Sequence, residues 1–159
     1  TDSKITKLLE WVKNTQDETL QPSTHTFISP SIEVKNIADF GRGIHAASDI
    51  KKSQQLIRIP HSFLLNFTTV VRHITRYSSV KLTDPMYAHI YVPYHKNEDT
   101  FTNVYGELLL PELLDLSSFQ IISLFLTFES QRSSSFWKPF IDSLPEITDF
   151  TLTPLIWQV

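Results

Sequence analysis

The sequence predicts an α+β fold, and three observations carry that prediction. Residues 32–59 hold three short strand-like runs separated by polar or glycine-bearing turns. Ahead of them, Ile5, Leu8, Leu9 and Val12 recur at helical spacing. Behind them, Leu113 to Phe128 is the most apolar stretch of the chain, too crowded for one stripe, as in a helix buried nearly all round.

Taken in order, the first element is a helix from about Ser3 to Asn14, with Asp2 or Ser3 placed to accept a hydrogen bond from its first free amides. Residues 15–31 are rich in Thr, Ser, Gln and Pro and are expected to form a surface connector. Ile32-Glu33-Val34-Lys35 alternates like a half-exposed strand. After a turn at Gly41 to Gly43, Ile44 to Ala47 is its expected hairpin partner. Ser48 to Gln54 forms a polar turn, and Leu56 to Ile59 a third strand stopped by Pro60.

Asn66 is a fitting cap for a helix from Phe67 to about Tyr77, with Val70, Val71 and Ile74 on its apolar face. Ser78 to Gly106 mixes prolines, histidines and aromatics and is expected to be a variable insertion. Ser117 to Ser130 should be a core helix. The chain thus divides into a leading helix and connector (1–31), a β-rich piece (32–66) and a helical piece (67–159), with no internal repeat and no low-complexity segment.

With 159 residues and 41% hydrophobic content, the chain is long enough for one domain with a core of its own. A net charge of −3 and a lack of lysine or arginine clusters argue against direct nucleic-acid binding. The absence of cysteine excludes disulfides, thiol nucleophiles and thiolate-bound zinc. No apolar run approaches the roughly 20 residues that span a bilayer, and the polar first residues do not resemble a secretory signal. A cytoplasmic or nuclear protein is expected.

Two of the three glycines flank Arg42, in Phe40-Gly41-Arg42-Gly43-Ile44. A glycine pair next to strands lets the backbone adopt φ > 0 and lets a ligand approach the main chain without a Cβ in the way. Metal and hydrolase chemistries find no comparable pattern. His89 and His95 lie six apart, no His-x-x-x-His pair or cysteine completes a set, and no Gly-x-Ser-x-Gly elbow occurs. Trp137 either borders a ligand surface or, as tryptophan in an apolar run usually does, belongs to the core.

The Phe40 to Leu65 stretch resembles the opening of a SET domain, the fold of many protein-lysine methyltransferases. The likeness is closest to the Rubisco large-subunit methyltransferase class, which includes fungal enzymes acting on ribosomal proteins and elongation factors. Leu8-Leu9-Glu10-Trp11-Val12 resembles the leading helix of that class. Phe136-Trp137-Lys138-Pro139-Phe140-Ile141-Asp142-Ser143-Leu144-Pro145 resembles its W-x-P-Y-x-x-x-L-P segment, and Ser117 to Glu129 falls where the class has the preceding helix. Residues 78–105 are the least alike. Where the class has Gly-Glu in the turn before the third strand, this chain has Ser53-Gln54.

The resemblance implies the front part of a SET β-fold with a leading helix and a helical insert, S-adenosyl-L-methionine as cofactor, and a protein substrate such as a component of the translation machinery. By position it implies that Phe40, Gly41 and Arg42 contact the cofactor. Arg42 is either a bidentate partner for the cofactor carboxylate or a solvated turn residue. Methyl transfer to a lysine amine relies on orientation and exclusion of water more than on a strong base. The class holds adenine and target lysine with a later Asn-His motif and a later tyrosine. This chain has no Asn-His dipeptide and no tyrosine after Tyr105. No catalytic residue is therefore assigned, and Tyr77, Tyr87, Tyr91, Tyr94 and Tyr105 are not given the role. The expectation is the amino-terminal portion of a longer lysine N-methyltransferase, inactive as a segment by itself. The alternative is a non-catalytic SET-like module that binds a protein, or an inactive truncated product.

Overall fold

The computed structural model describes residues 3–14, 25–37, 41–76, 82–88, 90 and 100–150. It is a mixture of helix and sheet, as the sequence predicts. Helix α1 spans Ser3–Asn14, as expected, and buries Ile5 and Val12. Its tryptophan, Trp11, packs edge-on against Phe63 and Phe136 at ring separations of 5.0 and 5.1 Å.

The strands differ from expectation in their partners. Part of the presumed connector is a strand, β1 (Phe27–Ile28), which pairs antiparallel with β4 (Ile57–Arg58) in the register Phe27 to Arg58. Two residues are too short to show an alternating pattern, so β1 left no signal in the sequence. Between them, β2 (Ile32–Ile37) and β3 (Gly41–Ala46) form the expected hairpin. The hairpin is therefore nested inside the β1–β4 pair, and the third predicted strand does not join its sheet. Both glycines belong to β3 itself rather than to a turn ahead of it: Gly41 pairs with Ile37 and Gly43 with Lys35.

The polar turn before β4 is organised by Gln54. Its side-chain carbonyl accepts from Lys51 N at 3.0 Å, and its amide donates to Ser31 Oγ at 3.1 Å. Ser53 carries a φ of 63°, the left-handed region, at the position where the resembled class has glycine. That conformation costs an L-residue about 1–2 kcal/mol, which glycine avoids at some entropic expense. Ser53→Gly is accordingly expected to raise stability by about 0.5–1 kcal/mol, read as a shift of the urea midpoint at constant slope.

Helix α2 (Phe67–Thr75) follows a capping box in which Asn66 accepts from Thr69 N and the Thr69 hydroxyl bonds back to Asn66 N. Val70, Val71 and Ile74 are fully buried, as their spacing predicts. Three further helices were not separated in the sequence reading: α3 (Thr100–Glu107), α4 (Leu110–Asp115) and the short α6 (Lys138–Ser143). Helix α5 (Ser118–Ser130) starts at a second capping box, formed by Ser117 and Gln120.

One expectation about α5 is corrected. It is not buried all round: Ile121, Phe125 and Glu129 form the buried stripe, while Phe119 is 80% exposed. The i, i+4, i+8 spacing of that stripe is a single helix face. It packs on α2, and α1 lies along α6. The core runs from Val70 to Trp137 through the helical piece, with Trp11, Phe63 and Phe67 packed against its edge. Among the described residues, strands β2 and β3 contribute no fully buried side chain.

A buried polar cluster ties the end of α5 to the segment leading into α6. Glu129 Oε1 accepts from Tyr105 OH at 2.9 Å and from Arg132 at 2.7 Å. Ser135 Oγ donates to Glu129 Oε2 and accepts from Trp137 N at 3.1 Å. Glu129 and Arg132 are 4% and 5% exposed, so both charges are removed from water and balanced inside the protein.

Candidate functional site

The alternation of the β2–β3 ladder sorts the candidate residues onto two faces. Arg42 and Ile44 share one face with Asn36 and Val34. Gly41, Gly43 and His45 share the other with Ile37, Lys35 and Glu33. Lys35 and Glu33 form an ion pair at 2.6 Å on that second face.

Gly41 has φ +76°, and a Cβ built there would meet nothing within 4 Å. The left-handed backbone and the open space satisfy both conditions for a ligand to approach bare main chain. Gly43 is more confined: a Cβ there would stand 3.2 Å from His45 Nε2. His45 thus lies over the glycine strand, a placement not expected from the sequence. The signal available was the i, i+2 spacing of Gly43 and His45 in a strand.

Arg42 is exposed at the surface but engaged: one guanidinium nitrogen donates to Ser143 O at 3.0 Å. Ser143 closes α6, so Arg42 places a cation and a donor at a helix C-terminus, where carbonyls lack intrahelical partners. This contact joins the hairpin to the helical body. Phe40, the third residue implied by the resemblance, lies outside the described residues.

A cleft of about 860 Å³ lies between α1 and α6, lined by Lys4, Lys7, Ser135, Lys138, Ile141 and Leu144 among others. Neither Gly41 nor Arg42 lines it; Arg42 reaches Ser143, immediately before the cleft residue Leu144. Across it, Lys4 Nζ meets Glu146 Oε1 at 2.8 Å, with side chains 44% and 68% exposed. A pair so exposed contributes roughly 0–1 kcal/mol.

Trp137 is 1% exposed and stacks edge-on with Trp11, Phe136 and Phe140, which assigns it to the core. Tyr105 is likewise core, through its bond to Glu129. Tyr87 is 4% exposed, and its phenol is pushed up, first by burial and then by the Asp84 carboxylate, so it is fully protonated at neutral pH. Tyr77, Tyr91, Tyr94, His89 and His95 lie outside the described residues. Among the described residues no group of three His, Cys, Asp or Glu side chains could hold a metal ion, and no helix is long and apolar enough to cross a membrane.

No family model matches the chain, and no solved structure matches it. A protein of Saccharomyces cerevisiae named "Ribosomal lysine N-methyltransferase 2" is 28% identical over 177 aligned positions, covering 99% of this chain. The chain spans 35% of that protein's length. From end to end, this chain is similar to about a third of a yeast lysine N-methyltransferase.

Proposed function

We propose that the chain is the amino-terminal part of a SET-type, S-adenosylmethionine-dependent protein-lysine N-methyltransferase whose substrate belongs to the ribosome. The observation that carries this reading is the likeness to the yeast enzyme across 99% of the chain. The segments that resemble the SET class support it, as does the open main chain at the first of its paired glycines.

S-adenosylmethionine would supply a methyl group on a positively charged sulfur, which leaves as a neutral thioether when a lysine amine takes the methyl and gives up its proton to water. The residues present fit part of a cradle for it. Gly41 offers a backbone in the left-handed region with free space beside it. Arg42 acts as a brace, because its bond to the end of α6 fixes the hairpin and hence the direction the glycine face presents. A mixed helix-and-sheet body packed around Trp137 then holds that face in place, and orientation is where most of the rate of such a displacement originates.

Two measurements on the natural full-length protein test the proposal. Labelled S-adenosylmethionine should transfer its methyl group to lysine in ribosomes from cells lacking the gene, and no transfer to any ribosomal protein would overturn the activity. In calorimetric titration, Gly41→Arg should weaken cofactor binding at least tenfold, whereas Gly41→Ala, which carries the same backbone strain of about 1–2 kcal/mol without the bulk, should weaken it far less. Undiminished binding in Gly41→Arg would sink the cradle while leaving the activity to stand on the transfer assay.

A further inference from the structure

The cleft between α1 and α6 has a lining that the methyltransferase reading does not use. Its α1 wall carries Lys4 and Lys7, one turn apart and therefore neighbours on the helix surface. Its opposite wall interleaves Ile141, Leu144 and Pro145 with the charged side chains of Lys138, Asp142 and Glu146. Lys4 is paired with Glu146, and Lys138 with Asp142 at 2.8 Å. Lys7 makes no hydrogen bond or ion pair among the described residues, although it stands in the same cleft.

Glu146 shows what the α1 wall accepts. A carboxylate carried on the exposed segment after α6 already sits on Lys4, 142 residues away in sequence. That contact is solvent-exposed at both ends, so an incoming carboxylate can share or replace it. One turn along, the amine of Lys7 offers a second position of the same kind. A ligand that uses both walls needs carboxylates toward α1 and apolar side chains toward Ile141 and Leu144.

We infer that this cleft binds an extended acidic and apolar peptide segment of a partner protein, with a carboxylate of the segment on Lys7. A peptide of alternating character meets the requirement because successive side chains of an extended strand point to opposite sides, 3.2–3.4 Å of rise apart. Asp142 and Glu146 also line the cleft and are paired with Lys138 and Lys4, so Lys7 is the position left for one carboxylate; nucleic acid, with a phosphate on every residue and no apolar side chains for Ile141 and Leu144, fits less well. The inference is independent of the methyl-transfer activity, and the segment it describes is a docking partner rather than the lysine to be modified.

Fluorescence anisotropy with labelled eight-residue peptides tests it, using the protein unmodified and as Lys7→Glu. A peptide of alternating Glu and Leu should bind saturably and weaken at least tenfold in Lys7→Glu and in high salt, with melting temperature unchanged because Lys7 is exposed. A second variant, Lys7→Gln, should fall between the two. Equal binding of a Lys-Leu peptide, equal binding of a Glu-Ser peptide, or indifference to both Lys7 variants would each overturn the proposal. Lys7-dependent binding of a uridine oligonucleotide in preference to the Glu-Leu peptide would overturn it too, by reassigning the cleft to nucleic acid.

Discussion

Glu129→Ala is expected to lose about 3–5 kcal/mol of folding stability, the cost of leaving a buried charge without its partner. The variant takes the Glu129 carboxylate away from the Arg132 guanidinium, which is 5% exposed, and removes the acceptor of the bonds from Tyr105 OH and Ser135 Oγ. Against a domain stability of about 5–15 kcal/mol, that is a large share. Controls separate charge from hydrogen bonding. Tyr105→Phe removes one hydrogen bond and should cost about 0.5–1.5 kcal/mol. The double change Glu129→Leu with Arg132→Met removes both charges at once and should recover most of the loss. Urea denaturation at constant slope reads all three, and a Glu129→Ala midpoint close to that of Tyr105→Phe would refute the argument.

Trp137→Ala is the second large effect, at about 3–5 kcal/mol, because it opens a cavity among Trp11, Phe125, Phe136 and Phe140. For a chain of this length that is a fall in melting temperature on the order of 10 °C. Trp137→Phe should cost far less than half as much. The indole N–H is buried and has no acceptor among the described residues, so losing it relieves a desolvation cost that partly offsets the lost volume. Thermal melts followed by near-ultraviolet circular dichroism give both values. Equal losses in the two variants would show that the indole nitrogen is satisfied after all.

The positions of three helices were legible in the sequence. Asn66 before Val70, Val71 and Ile74 marked α2, Ser117 marked the start of α5, and the spacing of Ile5 and Val12 marked α1. The excess of apolar residues in α5 misled, because composition cannot say which face meets a neighbour. Phe119 and Phe125 look alike in sequence, yet one is 80% exposed and the other 1%. Strand β1 was invisible because two residues carry no period, and its partner lies about 30 residues away, a distance no local signal spans.

The φ of +76° at Gly41 was legible in the glycine pair, because only glycine is free of strain there, although the pair lies in β3 rather than in a turn. The contact of Arg42 was not. A guanidinium beside glycines suits an anion and a helix end equally well, and only the fold brings Ser143 within reach, 101 residues further along the chain. The same holds for Glu129, whose partners Tyr105 and Ser135 sit on separate segments that no spacing rule connects.

The seating of Trp11 among Phe63, Phe136 and Trp137 has a consequence for synthesis on the ribosome. Helix α1 leaves the exit tunnel well before the surface it docks on is complete, since Phe136 and Trp137 follow Trp11 by more than 100 residues. Until that surface emerges, its apolar stripe stays uncovered, an open invitation to chaperones or to a neighbouring nascent chain. Closing so long a loop also delays the final step of folding. A helix made well ahead of its partners is therefore among the last elements to find its place.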